Sequence, residues 1–198
     1  VTPVYFFGLP YIVKDFLERL SVSSKSYFYL VVTYGGKPGN IGKEANSIMQ
    51  KKGTGFYAMY GVKMVDTYIP MYDASKNEKV ESQIDPQIEE IITTIKERRI
   101  GDYLKGTVPV LINKACSFQY KQVRKTDNLT IDESCIHCGL CVKECPEQAI
   151  EIKDHVTFRK EQCMMCLRCL HHCPVNAIRF KNKDKGQYRG LLWSKKIF

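Results

Sequence analysis

Eight of the nine cysteines in this 198-residue chain fall into two copies of one short motif. CIHCGLCVKECP at residues 135–146 returns as CMMCLRCLHHCP at residues 163–174, so each of these cysteines has a counterpart 28 positions away. The match continues through the proline into an Ala-Ile pair at 149–150 and at 177–178. A repeat that preserves four thiols and a proline predicts a duplicated local fold organised around metal.

The spacing within each copy, C-x2-C-x2-C-x3-C-P, is typical of bacterial ferredoxins that carry two 4Fe-4S clusters. Three closely spaced thiolates can wrap around one cube, whereas the fourth, at the start of a helix, points toward the other cube. We therefore predict that one cluster binds to Cys135, Cys138, Cys141 and Cys173, and that the second binds to Cys163, Cys166, Cys169 and Cys145. Thiolates are soft ligands that suit iron, and four of them leave no open position for a substrate.

Structural zinc and disulfides are the alternatives to iron-sulfur clusters. Zinc sites commonly join two CxxC knuckles across a longer loop, and disulfides favour secreted proteins. The chain shows no charged and apolar leader, so we expect a cytoplasmic protein. No apolar run approaches the roughly 18–20 residues that span a bilayer, so we expect no membrane span. Three histidines within the motifs, His137, His171 and His172, are expected to be solvent-exposed loop residues rather than ligands.

Residues 1–101 alternate between strand and helix patterns. Apolar runs predict strands at 3–7, 27–34 and 56–65, and helical spacing predicts a helix at 11–20 and another that Asn40 caps. A third helix is expected from Asp85 and Pro86 to Gly101, with Ile88, Ile91, Ile92 and Ile95 facing inward. The order predicts an α/β fold with a doubly wound parallel sheet.

The rest of the chain divides by composition. Residues 102–130 show no sustained period and are interpreted as a connector, residues 131–182 as a small α+β domain, and residues 183–198 as a basic tail. Within the small domain, AIEIKDHVTF (149–158) predicts a hairpin that turns at 153–155. A core of this size is sparse, so we expect the clusters to stabilise it.

The whole chain resembles fusions of a flavodoxin-like domain with a two-cluster ferredoxin, as found in anaerobes. The flavodoxin resemblance is carried by TPVYFFGLP (2–10) and VVTYGGKPG (31–39). It implies an FMN site between two loops at the carboxyl ends of strands, formed by Thr2, Pro3, Val4 and Tyr5 and by Thr33, Tyr34, Gly35 and Gly36. Either tyrosine would stack on the flavin, and the glycines would let backbone amides approach it. An ordinary turn with packed aromatic residues is the alternative.

A flavodoxin-like domain begins with a strand and a phosphate-binding loop that have no counterpart here. We expect that the N-terminal part of this domain, and with it the FMN phosphate anchor, is missing ahead of Val1. The first strand would then be an unpaired apolar edge. A second copy of the chain, another chain or preceding residues are expected to cover it.

The formal net charge is +9, and two clusters would subtract about four. The basic residues are scattered and no recognition motif for nucleic acid is present, so we expect an acidic redox partner protein instead. The combined pattern predicts electron transfer through two 4Fe-4S clusters, with FMN as the converter between two-electron and one-electron steps. A flavin-dependent reductase of a small substrate and a docking scaffold are the alternatives. Residues 1–134 show no acid/base or nucleophile constellation, which disfavours an enzyme.

Overall fold

The computed structural model describes residues 1–23, 25–68, 78–181, 187, 188 and 190. The chain divides into two compact units. We call residues 1–65 with 78–120 the α/β unit, and residues 66–77 with 121–198 the cysteine unit. Most of the basic tail predicted at 183–198 lies outside the described residues.

The α/β unit is built on a four-stranded sheet in which every neighbouring pair is parallel. Its elements are β1 (Thr2–Pro3), α1 (Tyr11–Arg19), β2 (Phe28–Tyr34), α2 (Ile41–Gln50), β3 (Phe56–Lys63), α3 (Glu78–Glu81), α4 (Ile84–Lys96), β4 (Gly101–Asp102) and α5 (Val110–Val123). The last of these helices runs past the boundary of the unit, which falls after Tyr120. Strand order follows chain order, so the described strands contain no reversal. The parallel α/β class is confirmed, and the doubly wound, flavodoxin-like arrangement stays a prediction.

Two helices and the central strand β2 form the core of the α/β unit. It is made of buried aliphatic side chains: Leu9, Leu17, Leu30, Val32, Ile41, Ala45, Ile48 and Met49. The members from α2 recur at helical spacing, which gives that helix one apolar face to bury, and α1 contributes Leu17. In α2 the helical period predicts the buried face correctly, because burying that face determines how the helix packs.

The first strand is shorter than the apolar run at 3–7 predicts. After Pro3 the chain forms a tight turn in which Tyr5 and Gly8 exchange backbone hydrogen bonds of 3.1 and 3.0 Å. Phe6 and Phe7 adopt left-handed φ values of 50° and 64°. The ring of Phe6 stacks on Tyr120 at 5.3 Å, so a long-range contact overrides the strand preference of these aromatic residues.

The helix expected from Asp85 begins slightly earlier and ends sooner. α4 starts at Ile84, places Asp85 in its first turn and ends at Lys96, while Gly101 belongs to β4. The inward orientation was wrong for Ile88 and Ile92, which are 39% and 46% exposed. Helix α2 begins at Ile41 as predicted, but Asn40 does not cap it, since its side chain donates to the Val108 carbonyl at 3.0 Å.

Helix α5 falls where the sequence predicts only a connector. Its residues Val110, Leu111, Ile112 and Phe118 are exposed, and Tyr120 is its buried residue. Because the apolar positions do not form one buried stripe, the helical period is weak in the sequence.

The described part of the cysteine unit contains two small antiparallel strand pairs and three short helical turns. Strand β5 (Leu129–Ile131) pairs with β8 (Ile178–Phe180), and β6 (Ile150–Ile152) pairs with β7 (Val156–Phe158). The turns are the 3-10 helix Thr126–Asn128, α6 (Leu140–Lys143) and α7 (Arg168–His172). The second pair is the hairpin predicted at 149–158, and that prediction is confirmed. Among the described residues, no helix combines the length and apolar character needed to cross a bilayer.

Candidate metal centres

The two cysteine motifs share one backbone path. Three pairs of residues with left-handed φ values recur 28 positions apart. They are His137 (53°) with Met165 (56°), Gly139 (77°) with Leu167 (56°), and Gln148 (49°) with Asn176 (57°). Helices α6 and α7 begin directly after the second of these pairs. The backbone conformation is therefore repeated even where the side chains differ. In the second motif, Leu167 adopts the left-handed conformation that Gly139 adopts easily in the first.

The eight motif cysteines surround two cavities. The first cavity is lined by Cys135, Cys138, Cys141 and Cys173, and the second by Cys145, Cys163, Cys166 and Cys169. Their volumes are similar, at about 350 and 370 Å³. Each cavity thus combines three cysteines of one motif with the last cysteine of the other motif, which is the grouping that the ferredoxin spacing predicts.

Backbone hydrogen bonds hold the last sulfur of each motif. The Ala149 N–H donates to Cys145 Sγ at 3.3 Å, and the Ala177 N–H donates to Cys173 Sγ at 3.2 Å. Hydrogen bonds to sulfur stabilise its thiolate form and are among the factors that set the potential of a cluster. The Ala-Ile pair that extends the sequence repeat therefore supplies the same sulfur contact in both halves.

The side chains around the two cavities differ in their exposure to solvent. Cys138 is exposed beside the first cavity, and the neighbouring Ile136 side chain is 59% exposed. The second cavity is covered by Met164, Met165 and Leu167, which are only 4–7% exposed. The surroundings of the two sites are therefore not equivalent, although the thiols are equally spaced.

Burial controls the acidity of the thiols in the protein without metal. It raises the pKa values of Cys141, Cys163, Cys166 and Cys169, and neighbouring thiolates raise them further. The total rise in pKa is largest at Cys169. At Cys163 the positive charge of Arg124 partly opposes this rise in pKa. Metal binding must displace these protons, so the cavities suit a soft, highly charged centre that stabilises several thiolates together.

One carboxylate connects the two motifs. Glu144 Oε2 accepts a hydrogen bond from Arg168 Nε at 2.9 Å and also contacts Nδ1 of His172. Burial by itself would raise the pKa of Glu144, but the bonds from Arg168 and His172 outweigh it and hold that pKa below its usual value. Each of these three residues directly precedes a cysteine, so this contact fixes the motifs relative to each other.

The donor set fits 4Fe-4S clusters. A cube distributes its four thiolates over four iron atoms, whereas zinc requires its ligands to converge on one ion. Within the described ranges, no three side chains of Cys, His, Asp or Glu are close enough to hold a single metal ion.

Comparison with known proteins agrees with this part of the structure. The family described as "4Fe-4S dicluster domain" matches residues 134–186, a segment that includes all eight motif cysteines. The chain contains a ferredoxin-like 4Fe-4S domain. Comparison of the chain with curated proteins and with solved structures found no match.

Two of the three motif histidines differ from their prediction. His172 is the last residue of α7, is only partly exposed and contacts Glu144, so it is not an exposed loop residue. His137 is exposed as expected, but His171 is 6% exposed, so the expectation of a solvent-exposed residue was wrong. Its Nδ1 accepts from the Tyr188 N–H at 3.0 Å, and its Nε2 lies 2.9 Å from the Thr67 carbonyl oxygen. These partners come from distant parts of the sequence, so the motif alone carries no signal for them.

The residues assigned to FMN lie outside this domain, in the α/β unit. Thr2 and Pro3 pair with Val32 and Thr33, and the Val4 N–H donates to the Thr33 carbonyl at 2.9 Å. The two segments predicted to form the flavin site are therefore adjacent at the ends of β1 and β2.

The side chains of the two candidate stacking residues are engaged within the α/β unit. The ring of Tyr5 packs edge-on against Tyr120, with centroids 5.9 Å apart. The Tyr34 ring packs over Gly61, where its Cε1 atom lies only 2.8 Å from the position that a Cβ would occupy. Gly35 and Gly36 follow the end of β2, and an ideal Cβ at Gly36 would meet no atom within 4 Å. These contacts agree with the alternative of packed aromatic residues at an ordinary turn.

Arg124 is a further residue in contact with the second motif, and its sequence context gives no sign of this contact. Its Nε donates to the Cys163 carbonyl at 2.7 Å, while the Cys163 N–H donates to the Arg124 carbonyl at 2.9 Å. In the sequence, Arg124 is one basic residue in a run interpreted as a connector, and nothing in that run indicates contact with a cysteine almost 40 positions away.

Proposed function

We propose that the chain is an electron-transfer protein that binds two 4Fe-4S clusters in its ferredoxin-like domain. The observation that carries this proposal is the exchange of the last cysteine between the motifs at both cavities. The ligands of the first cluster are Cys135, Cys138, Cys141 and Cys173, and those of the second are Cys145, Cys163, Cys166 and Cys169. When bound, such clusters each take up and release one electron.

The surrounding residues support transfer of electrons rather than chemistry on a substrate. Four thiolates at each site leave no ligand position open. Met164, Met165 and Leu167 keep water away from the second site, and the Glu144 contact holds both motifs in one arrangement. The chain therefore contributes ligands, spacing and shielding.

Metal analysis tests the proposed clusters directly. After anaerobic purification we expect about eight irons and about eight sulfides per chain. The variant Cys145→Ser should lose the cluster of the second motif, although Cys145 lies in the first, and Cys173→Ser should lose the other one. Cys116→Ser, outside both motifs, serves as the control and should keep full iron. Stoichiometric zinc, or loss of the cluster in the substituted motif itself, would contradict the proposal.

The α/β unit is proposed to bind FMN between the segments 2–5 and 33–36. This part is supported by the adjacency of the two segments, which follows from the Val4 to Thr33 hydrogen bond, and by the preference of ligands for the carboxyl ends of parallel strands. Flavin analysis of the purified chain and titration with FMN test it. A protein that contains the full amount of iron but binds no flavin would keep the proposed ferredoxin-like function and exclude the proposed FMN site. Turnover of a small substrate by the flavin-loaded protein would favour the reductase instead.

An acidic redox protein is the proposed partner. The net charge of +9 is the observation in favour, since long-range attraction between opposite charges accelerates association and weakens with salt. Oxidation of the reduced protein by anionic ferricyanide should slow as ionic strength rises, and oxidation by cationic hexaammineruthenium(III) should not. If salt slowed oxidation by the cationic reagent and not by the anionic one, the result would indicate a basic partner.

A further inference from the structure

The basic stretch 121–128 is bonded to the loop that leads into the second cysteine motif. Arg124 and Cys163 exchange two hydrogen bonds, one from the Arg124 side chain at 2.7 Å and one from the Cys163 N–H at 2.9 Å. Two positions later, the Thr126 N–H donates to the Glu161 carbonyl at 2.9 Å and the Thr126 hydroxyl donates to the Lys160 carbonyl at 2.6 Å. Residues 124–126 therefore hold the entry to Cys163 in place.

This stretch is itself fixed at the end of α5. The Asn128 side-chain amide points at the carbonyls of Gln122, Val123 and Lys125, with N···O distances of 3.3, 3.1 and 2.9 Å. The first two are carbonyls at the C-terminal end of α5, which lack partners within the helix, and the third is the carbonyl of Lys125 just beyond it. Arg124 is thus held by the hydrogen bonds to the loop before Cys163 and by those that the Asn128 side chain makes with the residues around Arg124.

The corresponding contact in the first motif uses a residue of opposite charge. There the Cys135 N–H donates to the carbonyl of Asp132 at 3.1 Å, and the Asp132 carboxylate pairs with Arg179 at 3.0 Å. The second motif has Arg124 at this place, so the backbone contact is repeated while the charge is reversed.

The charge of Arg124 lies beside the second motif, whose cysteines are all at least partly buried, whereas Cys138 of the first motif is exposed. A guanidinium stays protonated under all ordinary conditions, and charges interact more strongly where water is excluded. The cover formed by Met164, Met165 and Leu167 provides that exclusion at the second cavity. Because reduction adds negative charge, a fixed positive charge nearby favours the reduced form.

We propose that Arg124 is a positioning residue for the second cluster, which orients Cys163 through the two hydrogen bonds and raises the reduction potential of that cluster alone. This inference rests on the proposed binding of two 4Fe-4S clusters. It assigns the stretch 121–128 to the ferredoxin-like domain rather than to a connector.

Potentiometric titration monitored by electron paramagnetic resonance tests the inference. In Arg124→Gln we expect one of the two reduction waves to move to lower potential, by up to about tenfold in the reduction equilibrium, or about 59 mV for one electron. Arg124→Lys keeps the charge and should restore most of the shift. Ile136→Lys adds a positive charge beside the first cavity and should raise the other wave, which assigns both waves. Arg19→Gln removes an exposed arginine of the α/β unit and should move neither.

The outcomes separate this inference from the proposed function. If the wild-type protein contains no iron, the proposed function fails together with the inference. If it contains about eight irons and Arg124→Gln moves neither wave, or both equally, only the role of Arg124 is overturned. Arg124→Gln could instead lose the second cluster, so that about four irons remain together with the reduction wave of the first cluster, which is the wave that Ile136→Lys raises. This result would support the orienting contact, because the loss is confined to the second cluster.

Discussion

The α/β unit and the cysteine unit reach stable folds by different means. The α/β unit buries a continuous aliphatic core across α1, β2 and α2, with Val32, Ile41 and Met49 fully covered. In its described residues, the cysteine unit has three-residue strands and short helical turns around two cavities lined by thiols. Apolar area stabilises the first unit, whereas metal ligation must supply much of the stability of the second. The comparison teaches that hydrophobic periodicity and ligand spacing are separate ways for a sequence to specify a fold.

Removal of iron should break the cysteine unit and leave the α/β unit folded. Without clusters, its thiols surround two cavities rather than a packed core, and a domain this small lacks compensating apolar area. We expect anaerobic chelation to abolish amide protection across residues 121–181 while residues 28–62 keep theirs. Hydrogen exchange measured by mass spectrometry on the full chain checks this. Retained protection in the metal-free cysteine unit would show that its apolar residues suffice.

The same contrast explains how much of the structure is predictable from the sequence. The cysteine spacing predicts which sulfurs meet, because short loops around a cluster leave few alternatives. The run at 27–34 predicts β2 because it is short and continuously apolar, and residues 41–50 predict α2 because their apolar positions follow the helical period. Helix α5, the turn at Phe6 and Phe7, and the burial of His171 depend on partners far away in the sequence. Local pattern carries little information about such contacts.

Truncation of a core side chain should affect only the α/β unit. Ile41 is fully buried in the core, so Ile41→Ala should lower the free energy of unfolding of this unit by about 2–5 kcal/mol, because it removes packed apolar volume. Urea unfolding followed by circular dichroism measures this loss, and iron content and the visible absorbance of the clusters should stay at wild-type levels.

The control for this substitution is Ile112→Ala. Ile112 is 47% exposed on α5, and its truncation should change stability by less than about 0.5 kcal/mol. Loss of cluster absorbance in Ile41→Ala at low urea would show that the two units do not unfold separately.

Two left-handed glycines, one in each unit, should respond differently to substitution. At Gly39, with φ 64°, a Cβ would lie 2.5 Å from the backbone oxygen of Phe7. Gly39→Ala should therefore cost about 3 kcal/mol, since it combines left-handed strain with a clash against backbone. At Gly139, with φ 77°, the nearest atom to a Cβ is Ile152 Cδ1 at 3.8 Å. Gly139→Ala should cost only about 1 kcal/mol, from backbone strain.

Urea midpoints of the two glycine variants, with cluster absorbance as the second readout, check this difference. Leu167 already adopts the left-handed conformation at the position equivalent to Gly139, which supports the smaller cost. A larger loss of stability in Gly139→Ala than in Gly39→Ala would indicate that a bound cluster approaches the Gly139 backbone closely, a contact that the protein atoms alone do not impose.

The smallest effect is expected at the surface of the α/β unit. Arg19 and Asp15 form an ion pair one helical turn apart on α1, with side chains 75% and 56% exposed. Solvent screens such a pair, and ordering two flexible side chains costs entropy, so Arg19→Gln should lower stability by at most about 0.5 kcal/mol. The loss should disappear in high salt, because the screening length shortens. A loss near that of Ile41→Ala would mean that charge, and not the aliphatic core, stabilises α1 on the sheet, which would remove the contrast between the two units.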